Sequence, residues 1–299
     1  MSAARPAVAA PPERPCTVAE IKRFLAEALP AREGASPRAE AAALLAFVLD
    51  TERSVFVADS NRTVSDEVCE RLRRLVERRR AGEPLQYLTG SAPFLDLTLA
   101  VGPGAFVPRP ETEGLALHAE RLLPAGPAPT IVDLCAGVGP VAIYLARRRP
   151  RARLVALEAE EKATALLRQN AARYEVALEV VVGDAFAPAT MARLPAADLI
   201  TANPPYIPSA VIPNLPPEVR DWEAASALDG GPDGLRFYPR IAELAVGYLR
   251  PGGAVIVEIG EGQAGAVKRI LGAVGEVAVG QDLAGRDRYV WARREEVAT

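Results

Sequence analysis

The chain has 299 residues, 49% of them hydrophobic, enough for one large domain with its own core and a smaller one beside it. With 35 Lys and Arg against 38 Asp and Glu its formal charge is -3, so it lacks the basic excess by which a protein living on nucleic acid is recognised. Its cysteines, Cys16, Cys69 and Cys135, are odd in number and too widely spaced for a disulfide framework or a zinc site, and no apolar run reaches membrane-spanning length; a reducing cytoplasm is expected.

Residues 1–15 are rich in Ala and Pro, lack the apolar core of a secretion signal, and are expected to be a disordered tail. From Thr17 a helical period begins. Thr17 and Glu20 form a capping box, and Val18, Ile21, Leu25 and Leu29 share one face. Ser36-Pro37 opens a second helix with Ala41, Leu44, Leu45, Val48 and Leu49 inward, and Ser65 caps a third through Leu72, Leu75 and Val76 to Arg80. Together they predict a small helical bundle over 16–82. The run Arg71, Arg73, Arg74, Arg78, Arg79, Arg80 invites an RNA-binding reading, but a basic helix C-terminus, where cations complement the dipole, is favoured here.

Residues 83–114 are punctuated by Gly and Pro, and the alternation over Phe94–Ala100 predicts a β-hairpin linker. Within it Val107-Pro108-Arg109-Pro110-Glu111-Thr112-Glu113 is expected to be a rigid loop, of a kind that can fold over a cleft. His118, the only histidine, follows in a helix without a nucleophile or metal ligand nearby, and a structural role is expected for it.

After Pro129 strand and helix alternate. Strands are predicted at 130–135, 153–158, 178–184, 197–203 and 254–260, helices at 139–149, 160–173, 235–249 and 263–274, and a final strand pair near 276–282 and 289–294. Right-handed crossovers make residues 115–299 a Rossmann-like α/β domain, a mostly parallel sheet with an antiparallel edge.

The first strand runs into Asp133-Leu134-Cys135-Ala136-Gly137-Val138-Gly139-Pro140. Glycines there allow a tight turn and a close ligand approach, and the second strand ends in Glu158, whose carboxylate can accept ribose hydroxyls. A dinucleotide loop wants glycine at the first of its three places, where this chain has Cys135. The third strand ends in Gly183-Asp184-Ala185-Phe186, an acid and an aromatic suited to an adenine amino group and ring face, which favours S-adenosylmethionine. The fourth strand ends in Asn203-Pro204-Pro205-Tyr206. Neither proline can continue a sheet ladder, and Pro205 biases Pro204 towards an extended conformation, so the Asn203 side-chain oxygen and the Pro204 carbonyl can face one spot. A planar NH2 group satisfies both acceptors, with the Tyr206 ring against its flat face. Asn-Pro and Pro-Pro are also ordinary turn dipeptides, and Asp229 and Asp233, which flank glycines, read as turn chemistry.

In these segments the chain resembles the HemK/PrmC family of protein-glutamine methyltransferases, and the likeness runs from residue 17 onward. It is carried by Gln86-Tyr87-Leu88-Thr89-Gly90, Pro108-Arg109-Pro110-Glu111-Thr112-Glu113, Asn203-Pro204-Pro205-Tyr206-Ile207, Glu218-Val219-Arg220-Asp221, Leu228-Asp229-Gly230-Gly231-Pro232-Asp233-Gly234-Leu235 and Asp282-Leu283-Ala284-Gly285-Arg286-Asp287-Arg288. The resemblance implies a class I S-adenosylmethionine-dependent fold and methylation of the glutamine of the Gly-Gly-Gln motif of peptide-chain release factors, with the helical domain gripping that partner. It implies catalytic roles for Asn203, Pro204 and Tyr206; cofactor contacts from Asp133, Cys135, Gly137, Gly139, Glu158, Asp184, Ala185, Phe186 and Asn203; and substrate contacts from Asn203, Pro204, Pro205, Tyr206, Arg109, Pro110 and Thr112. No metal, membrane or stable nucleic-acid partner is expected of the protein, and a monomer is. Two departures stand out: the family usually has Gly where Cys135 stands, and commonly Asp in place of Glu158. Two further readings stay open at this point, an amine or amide methyltransferase of a small molecule or nucleic acid, and a non-catalytic binding module.

Overall fold

The computed structural model describes residues 16–30, 36–50, 61–124, 126 and 128–296, so the tail expected at 1–15 lies outside the described residues. The chain divides into two units, Met1–Gly90 and Ser91–Thr299.

In the first unit each helix starts where a side chain can take its unpaired N–H groups. The helix Val18–Ala28 has a complete capping box, Thr17 taking the Glu20 N–H and Glu20 the Thr17 N–H. Ser36 and Ser65 likewise cap the helices Pro37–Leu49 and Asp66–Arg80, each cap typically worth ~1 kcal/mol. Leu25, Leu44, Leu45, Leu72 and Val76 interlock at the centre. A short helix, Leu85–Thr89, and a two-residue antiparallel pair, β1 (Cys16–Thr17) with β2 (Thr63–Val64), complete the unit; neither was expected. The arginine run is largely spent on local partners: Arg73 and Arg74 pair with Glu70, Arg78 with Glu83, the buried Arg79 with the buried Glu40, and Arg71 lies over Phe47.

The second unit opens with a hairpin, β3 (Ser91–Phe94) and β4 (Leu97–Ala100), docked on the helix Glu161–Arg173 through Asn170 and Tyr174. The chain then differs from the loop expected through Glu113. A helix, Pro110–Leu122, begins at Pro110, because a proline at the first helical position and acids in the first turn both suit an N-terminus.

The seven-stranded sheet has β5 (Thr130–Leu134), β6 (Arg153–Glu158), β7 (Glu179–Val182), β8 (Ala197–Ala202), β9 (Leu249–Glu258), β10 (Gly275–Gln281) and β11 (Asp287–Arg294) in the order β10-β11-β9-β8-β5-β6-β7. β9-β8-β5-β6-β7 are parallel, and β11 runs antiparallel to β9 and β10 at one end. Val132 and Leu134 alternate with Ile131 and Asp133, and the first pair packs with Ile200, Val255, Ile241 and Leu244 in the main core. Strand order reverses at β5 and β8, which opens a crevice at their C-terminal ends.

Candidate active site

That crevice holds a cavity of about 460 Å³ lined by the chain after β5, β6, β7 and β8 and roofed in part by Phe106, Pro108 and residues 225–228. Its size suits one cofactor-sized molecule.

At the β5 end the chain turns through Cys135, Gly137 and Gly139, all with positive φ (56°, 56° and 90°), into the helix Pro140–Arg148. A side chain on Gly137 would project into open space, so the bare backbone there leaves room for a ligand. Cys135 adopts the left-handed conformation without being glycine, a strain of roughly 1–2 kcal/mol. Burial, then the charges of Glu158, Asp133 and Asp184, push its thiol pKa up and keep it protonated.

Asp133 lines the cavity floor but is already engaged. It accepts from the Thr201 hydroxyl at 2.6 Å and from the Ala142 N–H in the first turn of the following helix, so it anchors that helix to the sheet. Burial raises its carboxyl to about 7 against those two bonds.

Glu158 holds the turn in place. Its Oε2 accepts from Gly137 N at 2.7 Å and its Oε1 from Ala159 N and Glu160 N, both at 2.9 Å. Burial raises its pKa and these N–H groups oppose the rise. A carboxylate has about four acceptor sites, so one remains on Oε2, room for a single hydroxyl. Further round, Asp184 Oδ1 accepts from Phe186 N at 2.9 Å, and the Phe186 ring meets Phe237 edge-on at 5.2 Å with Arg236 over it. Asp184, Ala185 and Phe186 all line the cavity.

Beyond β8, Asn203 Nδ2 donates to Thr112 Oγ1 at 3.1 Å. No described residue donates to Asn203 Oδ1 or to the Pro204 carbonyl, and both residues line the cavity. Pro205 and Tyr206 line it too. The segment is braced from behind by Gln263, which donates to the Tyr206 carbonyl at 3.0 Å and the Gly234 carbonyl at 3.2 Å while accepting from Gly260 N. Gly230 and Gly234 let the Asp229–Leu235 turn press against it, since added side-chain carbons would lie 2.8 Å from Tyr206 Cα and 2.3 Å from its carbonyl oxygen. Asp229 accepts from Ser209 and Gly231 N, and Asp233 from Leu235 N, as turn residues do.

The loop residues fall differently. Thr112 is buried, 2% exposed, and meets Asn203 from within the helix Pro110–Leu122. Pro110 starts that helix and Arg109 lies outside the cavity lining: its guanidinium stacks on Phe106 and pairs with the buried Glu223 at 2.6 Å, tying the 106–109 segment to the 223–228 segment across the cavity mouth. Burial raises Glu223 to about 7 despite that partner. His118 bonds the Gly114 carbonyl and packs on Tyr289, away from the cavity lining. Glu258, Gln263 and Glu223 carried no signal in the sequence beyond being polar ends of apolar runs or loop residues. Among the described residues no cluster of side chains can hold a metal, and no helix is long and apolar enough to cross a membrane.

A glycine turn after the first strand, an acid ending the second and a cavity at the reversal of strand order define a Rossmann-like class I methyltransferase that uses S-adenosylmethionine. Residues 12–90 match the PrmC N-terminal domain and residues 96–212 the methyltransferase small domain. The chain is 39% identical to the release factor glutamine methyltransferase of Moorella thermoacetica and 41% identical to that of Mycolicibacterium smegmatis, in each case over 87% of this chain and 92% of the relative. It belongs to the release factor glutamine methyltransferase family. Among solved structures the fold resembles the hMettl16 catalytic domain, solved with an RNA hairpin (14% identity, TM-score 0.54, 80% of this chain and 87% of that one). It also resembles a methyltransferase from Pyrococcus furiosus (17%, TM-score 0.50, 76% and 99%).

Proposed function

We propose that this protein methylates the side-chain amide nitrogen of the glutamine in the Gly-Gly-Gln motif of a peptide-chain release factor. The observation that carries the reading is the pair of acceptors without donors, Asn203 Oδ1 and the Pro204 carbonyl, on the wall of the cavity. Two free acceptors on adjacent residues match the two N–H bonds of a primary amide. The name shared by relatives that cover nine-tenths of their own length selects the protein glutamine among such amides.

Bound S-adenosylmethionine supplies a methyl group made electrophilic by a sulfonium. The residues present fit that molecule: Glu158 Oε2 keeps one acceptor site for a ribose hydroxyl, Phe186 offers a ring face with Asp184 beside it, and Gly137 leaves backbone clearance. Toward the substrate, Asn203 and Pro204 hold the amide so that its nitrogen faces the methyl carbon, and Tyr206 supports it. Orientation of this kind is worth up to ~7–11 kcal/mol of barrier. An amide nitrogen is a poor nucleophile, and the two acceptor dipoles also stabilise the positive charge that develops on it. No strong base is required: Asp133 and Glu158 are engaged with the backbone, and the extra proton stays on nitrogen, held by the same acceptors, until it passes to water after transfer.

The first unit, matching the PrmC N-terminal domain, is read as the part that holds the release factor. A cytoplasmic monomer without stable nucleic-acid binding completes the reading, supported by a substrate from the translation machinery and by an arginine run committed to local pairs. The test is transfer of labelled methyl to purified release factor and to its Gly-Gly-Ala variant. Label on the first alone is expected; label on both, or on neither while S-adenosylmethionine binds by calorimetry, overturns the assignment.

A further inference from the structure

After the Asn203–Tyr206 segment the chain leaves the end of β8 and comes back to it. Ile207 N donates to the Leu228 carbonyl at 3.0 Å, Gly230 N to the Ile207 carbonyl at 2.9 Å and Ser209 N to the Gly231 carbonyl at 2.9 Å, so residues 208–228 form a loop closed at its base. Inside the loop Pro208, Pro213, Pro216 and Pro217 restrict φ, and a 3-10 turn spans Ile212–Asn214 and a helical turn Pro217–Arg220. Arg220 reaches back to the Pro213 carbonyl at 3.3 Å. Apart from the Ser209 bond at the base, the backbone N–H groups of the loop that meet a carbonyl meet one within the loop. The loop is thus stiff in itself, and its backbone is bonded to the domain at the base.

Its far end lies over the cavity, where Ala225, Ser226, Ala227 and Leu228 are part of the lining. Two side-chain contacts tie that end to the opposite lips. On one side Arg109 Nη2 donates to Glu223 Oε1 at 2.6 Å while the guanidinium lies 4.7 Å from the centroid of the Phe106 ring, itself part of the cavity wall. On the other, Ser226 Oγ donates to Glu160 Oε1 at 2.6 Å, just past the acid that ends β6. The Glu223 side chain is 1% exposed and that of Arg109 29%, so solvent screens this pair less than it does a surface pair. Backbone bonds at the base and side-chain contacts at the far end are what a hinged cover needs, because the contacts can break without any element unfolding.

We infer that Arg109 and Glu223 are positioning residues that latch the 208–228 loop over the bound cofactor, and that opening this latch sets how fast S-adenosylmethionine enters and its demethylated product leaves. Neither residue lines the cavity, so both act through the loop and not by touching the cofactor. Breaking the latch therefore speeds entry and exit alike and leaves the Kd near its wild-type value. A variant that merely distorted the site would instead raise the exit rate and the Kd together. The inference rests on the cofactor and not on the identity of the methyl acceptor.

The test uses the full chain and S-adenosylmethionine alone. Association is followed by stopped flow, and dissociation by chasing bound labelled S-adenosylmethionine with unlabelled, in the wild type, Arg109→Ala, Arg109→Lys and Arg153→Ala. The last breaks an exposed pair with Glu179 and serves as control. A charge-assisted hydrogen bond made only in the closed loop is worth about tenfold or more in the opening equilibrium, so both rate constants are expected to rise about tenfold in Arg109→Ala. They should rise less in Arg109→Lys, which keeps the charge, and not at all in Arg153→Ala. Trp222 lies in the loop beside Glu223, and in a Trp291→Phe background it is the one tryptophan of the chain. Acrylamide quenching of its fluorescence should increase in Arg109→Ala. Wild-type rates in Arg109→Ala overturn the inference, as does a rise in exit rate matched by the rise in Kd, or unchanged quenching of Trp222. Ser226 and Glu160 line the cavity, so their variants do not separate a latch from a contact, and Arg109 decides the matter. A wild-type protein that binds S-adenosylmethionine but labels no release factor refutes the proposed function and leaves this test as it stands.

Discussion

Gly234→Ala tests whether the Asn203–Tyr206 segment is held to ångström precision by the turn behind it. The added carbon would lie 2.3 Å from the Tyr206 carbonyl oxygen and 2.6 Å from Gln263 Nε2, and at φ +75°. Contacts of this kind below 3.0 Å essentially do not occur, so the Tyr206 carbonyl must retreat by at least 3.0 − 2.3 = 0.7 Å, or the turn must open by as much. Either movement breaks the 3.0 Å bond from Gln263 to Tyr206. A displacement of ~1 Å near reacting groups can cost ~100-fold in rate, so kcat for methyl transfer is expected to fall about ten- to a hundredfold. The left-handed backbone adds ~1–2 kcal/mol of destabilisation, and a lost hydrogen bond ~0.5–1.5 kcal/mol. Gly252→Ala is the control. Its φ is +76°, and its added carbon meets nothing closer than the flexible Glu296 side chain at 3.4 Å, so it carries the backbone strain without the clash. Thermal melts should place both variants below wild type, Gly234→Ala lowest, while the methyl-transfer assay should separate them sharply. Wild-type kcat in Gly234→Ala, or an equal fall in Gly252→Ala, would refute the argument.

Three other outcomes follow from the same structure. At position 135, held at φ +56°, Gly should be more stable than Ala by about 1 kcal/mol, the left-handed strain less the extra freedom of glycine in the unfolded chain; equal melting of Cys135→Gly and Cys135→Ala would count against it. Burial raises the Glu223 carboxyl from 4.5 to about 7, so the folded state keeps a proton that the unfolded chain has released. That contribution is fully present below the unfolded pKa and is lost as pH rises through the folded one; Glu223→Gln should flatten the decline in melting temperature between these values, and an unchanged slope would be inconsistent with it. In the first unit, Arg79→Ala leaves Glu40 buried and unpaired, and urea titration should show a loss of ~3–5 kcal/mol, whereas a loss typical of a surface pair would mean that water reaches the site.

Much of the architecture was legible because it rests on residues that constrain the chain where they stand. Ser36, Ser65 and the Thr17–Glu20 pair start helices by satisfying neighbouring N–H groups, and the apolar runs of β5, β6, β8 and the second half of β9 were legible because those residues are buried. The glycine turn and the Asn-Pro-Pro-Tyr stop were legible for the same reason, since glycine and proline act on their own φ. The helix start at Pro110 had its local signal too, proline followed by two acids, but the second proline nearby favoured a loop. What orients those groups is of another kind. Thr112 reaches Asn203 across 91 residues, Glu258 reaches Tyr206 across 52 and Gln263 reaches it across 57, and no periodicity or turn rule links positions so far apart. Glu258 reads in the sequence as the polar end of an apolar strand, and Thr112 as one polar residue in a charged stretch. The reacting groups of this site are thus written locally, whereas the side chains that hold them, Thr112 on Asn203 and Glu258 and Gln263 on Tyr206, are brought together only by the sheet and the helix Pro110–Leu122.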